Sequence, residues 1–213
     1  MKFVRLLDIV GDEPAFETGL LLAGAVDAAD VRRQLSRWRK TGRIHQLRRG
    51  VYALAPPFQK VKPHPFLVAN RMVRASYVSC QSALSFSGHI PEYVPVTTSV
   101  TAGRPGRWDT PLGAFEFRHI KDDLLTGYRL TEVSPGQHAL VAVPEKALLD
   151  LVHLQSGGDT SAYLRELRLQ NLASLDLQRL EDLGNRSRSP KLQRAVRVIV
   201  ASAEREAADY EQV

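Results

Sequence analysis

The stretch Val31–Leu54, VRRQLSRWRKTGRIHQLRRGVYAL, decides the fold of the N-terminal part of the chain. Its first nineteen residues hold eight Lys or Arg and no Asp or Glu. Apolar residues nevertheless recur among the charges, because Val31, Leu35 and Trp38 follow the i, i+4, i+7 spacing of one helix face. The pattern predicts a helix that begins near Ala28, with an apolar face toward a core and a basic face toward solvent.

Signals on both sides of this helix define its ends and its neighbours. Asp27 is a candidate N-cap and Gly42 a candidate C′ residue. Two further helices are predicted before it, one over residues 2–10 and one over 17–25 that begins near Thr18. After it, RIHQL and VYAL are typical of two strands joined through the turn RRG.

The exposed face of the predicted third helix lacks the mixed signs of an ordinary solvated helix. An unpaired positive face repels itself and is better placed opposite phosphates. A third helix followed by a hairpin is the arrangement of a winged helix-turn-helix, with the helix in the major groove and the hairpin as the wing. We expect base contacts from Arg33, Ser36 and Arg37, and phosphate contacts from Arg32, Lys40, Arg43, Arg48 and Arg49, the last two at the hairpin tip.

Charge is distributed unevenly along the 213 residues, although the net charge is only +6. Residues 1–30 hold six acids and two bases, residues 31–91 twelve bases and no acid, and residues 92–213 fifteen bases and seventeen acids. Only part of the chain is therefore expected to meet a polyanion. The single cysteine and the short apolar runs favour a soluble cytoplasmic protein without a disulfide or a membrane span.

A proline-rich segment, followed by a change in the pattern of apolar residues, separates two predicted domains. Residues 1–55 form the winged helix-turn-helix domain, residues 56–65 a proline-rich linker, and residues 66–213 a second domain. In the second domain, strand patterns (VPVTTSVTAG, GAFEFRHIK, HALVAV) alternate with helical ones (PFLVANRMV, SCQSALSFSG, PEKALLDLVHL), and two more helices follow at residues 161–170 and after Pro190. The expected fold class is α+β, with a mixed α+β second domain that ends in helices.

These segments resemble the AbiEi family, the antitoxins and autorepressors of type IV, or abortive-infection, toxin–antitoxin systems. The likeness covers most of residues 15–155 and is carried by RRGVYAL after the basic helix, by YVSCQSALSFSGHIP and by VPEKALLDLVHL. It implies that the first domain binds inverted repeats in operator DNA of its own promoter, as a dimer or as one monomer on each repeat. It also implies that the chain counteracts a nucleotidyltransferase-like toxin.

Motifs for catalysis are sparse. There is no GxxxxGK[ST] or GxGxxG loop, and the six histidines form no HExxH or HxxxH pair, so we expect no enzyme activity, cofactor or metal site. One alternative stays open, a DNA-targeted metal-dependent nuclease that uses Asp109 and Glu116, although Arg118 stands where such enzymes carry Lys. A Cys80–His89 nucleophile is a second arrangement, set against a buried cysteine at a helix start.

Two other charged features have an ordinary interpretation. Lys146 and Asp150 are expected to form an i, i+4 ion pair on an exposed helix face. Residues 185–197, NRSRSPKLQRAVR, form a second basic patch that is either a solvated helix start or a further contact with nucleic acid or toxin.

Overall fold

The computed structural model describes residues 1–23 and 26–210. Residues 24 and 25, at the end of the second predicted helix, and residues 211–213, at the end of the second predicted domain, lie outside the described part. The described chain is a mixed α+β protein, which confirms the expected class. None of its described helices combines the length and the apolarity needed to cross a membrane.

The described part of the N-terminal lobe, residues 1–23 and 26–55, contains two α-helices, a short 3-10 helix and a small antiparallel sheet. In chain order the elements are α1 (Phe3–Val10), β1 (Phe16–Glu17), a 3-10 helix (Thr18–Leu22), α2 (Ala28–Lys40), β2 (Ile44–Arg48) and β3 (Val51–Leu54). The strands are ordered β1-β3-β2. The second predicted helix is thus a 3-10 helix, and the strand before it was not expected.

The apolar face of α2 packs in a core of its own, as its periodicity predicts. Val31, Leu35 and Trp38 are buried together with Leu6 and Val10 of α1. The Trp38 ring meets the Phe3 ring edge-on, with centroids 5.2 Å apart. Residues outside this face of α2 remain free to point toward solvent.

The small sheet is covered on both faces. On one face, Ile44 and Leu54 join the core beneath α2. On the other face, Leu47, Val51 and Ala53 are buried against the remainder of the chain. Because side chains alternate across a strand, the hairpin β2–β3 lies between α2 and the C-terminal lobe.

The C-terminal lobe, residues 65–210, is built on a six-stranded mixed sheet flanked by helices. Its strands are ordered β6-β7-β5-β4-β9-β8. The helices are α3 (Pro65–Met72), α4 (Cys80–Phe86), α5 (Pro144–Leu154), α6 (Ser161–Glu166), α7 (Leu177–Arg186) and α8 (Pro190–Tyr210), and two 3-10 helices span Asp122–Leu124 and Leu172–Ser174. The strands are β4 (Ser76–Val78), β5 (Val96–Thr101), β6 (Gly106–Thr110), β7 (Gly113–His119), β8 (Tyr128–Ser134) and β9 (Gln137–Ala142).

The strong β patterns of the sequence correspond to the inner strands. In β7, Phe115 and Phe117 are buried, while Glu116 and Arg118 point to the opposite face, as the alternation predicts. The structure adds β4, β6, β8 and α7, which the sequence did not indicate, and it ends α6 at Glu166 rather than near residue 170. The proline-rich segment has no regular structure up to His64, and Pro65 is the first residue of α3.

The prediction that Lys146 and Asp150 pair on an exposed helix face is wrong in one respect, because both are buried, at 5% and 2% exposure. The Lys146 ammonium donates to one carboxylate oxygen of Asp150. The other oxygen accepts from the Tyr77 hydroxyl at 3.0 Å and from the Ser79 hydroxyl at 2.7 Å. Burial raises the pKa of Asp150, and Lys146 and the two hydroxyls oppose that shift.

Candidate nucleic-acid interface

The ends of α2 are fixed by local contacts. The Asp27 side chain accepts a hydrogen bond from the Ala29 amide at 2.8 Å, which confirms the predicted N-cap. At the other end, the Thr41 amide donates to the Arg37 carbonyl, and Gly42 follows with φ +69°. The helix therefore ends through a glycine in the left-handed conformation, as expected.

The predicted base-contacting residues lie together on the outer surface of α2. Arg33, Ser36, Arg37 and Lys40 line one open concavity of about 480 Å³, together with Thr41 at the end of the helix. All five are exposed. The helix thus presents a hydrophilic and basic surface on the side opposite its buried stripe.

Few acidic groups neutralise this surface. Arg33 makes a loose ion pair with Asp30, 3.4 Å between charged atoms, at an exposed position where such a pair adds little stability. Arg32, Arg37 and Lys40 make no ion pair with any described residue. Three of the predicted DNA contacts on α2 therefore keep their charge without a protein counter-ion in the described part of the chain.

Two nearby arginines have protein partners that orient them. Arg39 donates to the Gln46 side chain on β2 at 2.6 Å, which ties the basic helix to the hairpin. The Arg43 guanidinium lies 4.9 Å from the Phe3 ring centroid, a cation–π contact worth about 0.5–1 kcal/mol at an exposed site. Arg43 is exposed beyond that ring, so it remains next to the C-terminal end of α2.

The hairpin tip corrects one prediction. Arg48 does not extend into solvent at the tip, because its guanidinium donates to the Met72 carbonyl at 2.7 Å and lies over the Trp108 ring. The register explains this direction, since Arg48 pairs with Val51 across an irregularity in the strands and so shares the face of Val51 toward the C-terminal lobe. Arg49 at the turn is exposed, as expected.

The residues of the nuclease alternative lie on neighbouring strands but each has a basic neighbour. Asp109 is 3.7 Å from Arg107, and Glu116 is 3.9 Å from Arg118. In the register of β6 and β7, Asp109 lies opposite Ala114 rather than opposite Glu116. Within residues 1–23 and 26–210, no three His, Cys, Asp or Glu side chains are grouped so that they could hold a metal ion.

The surroundings of Cys80 and His89 do not suit a nucleophilic cysteine. Cys80 is buried, and burial raises the pKa of its thiol. The two ring nitrogens of His89 lie 2.9 Å from the Ser87 hydroxyl and 3.1 Å from the Ser174 hydroxyl. A raised pKa disfavours the reactive thiolate, so this geometry fits the buried-cysteine interpretation.

Part of the second basic patch stabilises the fold. Lys191 donates to the His153 and Gln155 carbonyls at the end of α5. Arg194 donates to Asp159 at 2.8 Å. These two bases are engaged within the protein, which accounts for them without a partner.

Comparison with known proteins identifies a fold but no family. No protein-family model matches the chain, and no curated protein matches it. Among solved structures, the chain is similar to the RV2827C protein from Mycobacterium tuberculosis, with a TM-score of 0.57 and 18% sequence identity. The similarity covers 92% of this chain and 75% of that one, so the two share a fold over most of their described length.

Two members of the basic surface, Thr41 and Gln46, were not predicted from the sequence. Thr41 lines the concavity and caps α2 through its hydroxyl, which donates to the Arg37 and Trp38 carbonyls. Its position four residues after Arg37 is the signal that would have found it. Gln46 was also missed, because its role depends on the packing of β2 against α2.

Proposed function

We propose that the chain is a DNA-binding transcriptional repressor whose N-terminal lobe acts as a winged helix-turn-helix. The observation that carries the proposal is the two-sided character of α2. Leu35 and Trp38 are buried beneath it, while Arg33, Ser36 and Arg37 line its outer concavity. A helix with this division offers side chains to base edges in a major groove without losing its own packing.

The surrounding charges support phosphate contacts at both ends of this helix. Arg32 is exposed beside Arg33 on α2, Lys40 lines the concavity at the end of the helix, Arg43 follows the helix, and Arg49 lies at the tip of the hairpin. Phosphate contacts of this kind fix the register of a protein on the duplex, and base contacts then specify the sequence. Arg48 is not part of the proposed contact set, because its guanidinium is already bound within the protein.

The resemblance to AbiEi antitoxins extends the proposal to autorepression and antitoxin activity. The chain would bind inverted repeats upstream of its own coding sequence and counteract a nucleotidyltransferase-like toxin encoded beside it. Co-expression of that neighbouring protein with and without this chain tests the second part. Restored growth supports antitoxin activity, and unchanged toxicity contradicts it.

DNA binding is tested by titrating a labelled fragment of the chain's own upstream DNA. Arg33→Ala and Arg37→Ala are each expected to weaken specific binding by about 1–3 kcal/mol if the side chain contacts a base. Arg129→Ala, at an exposed position of β8, is the matched control and should bind like the wild type. Equal affinities for all four proteins would contradict the proposed role of α2.

A further inference from the structure

The tip of the β2–β3 hairpin is fixed to the start of the C-terminal lobe by a short series of contacts. The Thr18 amide donates to the Gly50 carbonyl at 2.9 Å, which joins the turn to the end of β1. Next to it, the Glu17 carboxylate accepts two hydrogen bonds from the Arg74 guanidinium, at 3.2 and 2.7 Å. The segment between α3 and β4 therefore lies beside the hairpin tip and its exposed Arg49.

The same segment contacts the loop between β5 and β6. The Thr101 hydroxyl at the end of β5 donates to the Ala75 carbonyl at 3.1 Å. It also accepts from the Gly103 amide at 3.0 Å, which turns the chain toward Arg104. The hairpin tip and the β5–β6 loop are thus at the same end of the molecule.

A second connection fixes the start of β6 against the hairpin. The Arg48 guanidinium lies 5.2 Å from the centroid of the Trp108 ring, and β6 lies beside β2. The Trp108 ring folds back over the chain at Gly106, where a Cβ atom would be only 2.5 Å from the ring. Packing at Gly106 and Arg48 therefore sets the position of the loop relative to the hairpin.

The loop and the start of β6 carry basic groups that the fold leaves exposed. Arg104 is exposed and makes no ion pair with a residue that the structure describes. The side chain of Arg107 is 58% exposed, and its nearest carboxylate, Asp109, is 3.7 Å away and 75% exposed. A pair this long and this open to solvent is weak, so Arg107 can exchange it for a phosphate.

We infer that the β5–β6 loop and the start of β6, through Arg104 and Arg107, form a second DNA-contacting element that continues the basic surface from the hairpin tip onto the C-terminal lobe. This inference rests on the proposed function. The hairpin lies between α2 and the C-terminal lobe, so the loop meets the sugar-phosphate backbone beyond the hairpin, on the side away from α2. Contacts there neutralise phosphates and read no bases.

The test measures the salt dependence of binding on two duplexes. One duplex ends at the hairpin side of the site that α2 protects, and the other continues by about one helical turn. On the longer duplex, the double variant Arg104→Ala/Arg107→Ala is expected to bind roughly three- to tenfold more weakly, with a log–log salt slope smaller by about 1 for each lost phosphate contact. On the shorter duplex, wild type and double variant are expected to bind alike.

The matched control is Arg129→Ala/Arg165→Ala. It removes two exposed arginines, one on β8 at the opposite edge of the sheet and one on α6, and should follow the wild type on both duplexes. Thermal melting checks that both double variants keep the wild-type fold. An unchanged slope for Arg104→Ala/Arg107→Ala on the longer duplex, with normal wild-type binding, overturns this inference alone. If the wild type binds neither duplex, the proposed function fails and the inference fails with it.

Discussion

The guanidinium of Arg48, in the N-terminal lobe, lies 5.2 Å from the centroid of the Trp108 ring in the C-terminal lobe. It also donates a hydrogen bond to the Met72 carbonyl at 2.7 Å. Its neighbour Arg49 is exposed at the hairpin turn. Two adjacent arginines of the same basic segment therefore have different roles. Arg48 holds the hairpin against the C-terminal lobe, and Arg49 is available to a ligand.

This difference predicts that alanine substitution of Arg48 mainly lowers stability, whereas alanine substitution of Arg49 mainly weakens DNA binding. Arg48→Ala should lower the free energy of unfolding by about 1–3 kcal/mol, because it removes a charge-assisted hydrogen bond and a ring contact. Arg49→Ala should change that free energy by less than about 0.5 kcal/mol while weakening DNA binding. Urea unfolding and DNA titration of both variants provide the measurements. Equal losses of stability would show that Arg48 is no more engaged than Arg49.

The buried pair in α5 predicts a large asymmetry between two lysines. Lys146→Met leaves the Asp150 carboxylate buried without its cation, so the free energy of unfolding should fall by about 3–5 kcal/mol. Lys121→Met, at an exposed position, should cost less than about 0.5 kcal/mol. Urea unfolding of the two variants at neutral pH measures both values.

A second substitution separates loss of the ion pair from loss of packing. Adding Asp150→Asn to Lys146→Met removes the orphaned charge and should recover part of the lost stability. If the double variant is as unstable as the sum of the single variants, the two residues are not coupled, and the pair does not account for their burial.

The burial of His89 predicts how the free energy of unfolding changes with pH. Burial lowers the pKa of His89 below its ordinary value of 6.5, although the Glu145 carboxylate acts in the opposite direction. The unfolded chain therefore binds this proton more tightly than the folded protein does. The stabilising contribution is complete above pH 6.5 and is lost as the pH falls below it. Burial lowers the pKa of His64 and His153 in the same direction.

The corresponding measurement is urea unfolding at pH 7 and at pH 5.5. The wild type should be less stable at pH 5.5. His89→Gln keeps a polar side chain beside the two serine hydroxyls but does not titrate, so it should lose less stability over this interval. An identical loss in both proteins would mean that His89 does not contribute to the pH dependence.

The elements that the sequence predicted best are those with strong local signals. The helix α2 combines a cap at Asp27, an apolar stripe and a terminal glycine, so its boundaries follow from neighbouring residues alone. The strands β6 and β8 are edge strands with exposed polar residues, and they lack the alternation that identified β7. Each pairs with the strand that follows it across a short turn, at Pro111 and Leu112 or at Pro135 and Gly136, so what the sequence lacks here is apolar alternation within the strand.

Residue spacing in the sequence could not distinguish a buried charged side chain from an exposed one. Lys146 and Asp150 have the same i, i+4 spacing as a solvated surface pair, and only the packing of Tyr77 and Ser79 around Asp150 shows that they are inside. In the same way, a run of arginines indicates exposure for each member. The register of Arg48 opposite Val51 instead turns one of them inward.

The most direct test of the central claim is the salt dependence of binding to the chain's own upstream DNA. The exposed basic face of α2, with Arg43 and Arg49, should release counter-ions from several phosphates, so log K should fall linearly and steeply with log salt concentration. The slope should become shallower by about 1 in Lys40→Ala, because this residue lies at a proposed phosphate contact. A flat line for the wild type would contradict the account, since a helix of this charge cannot bind DNA without an electrostatic component.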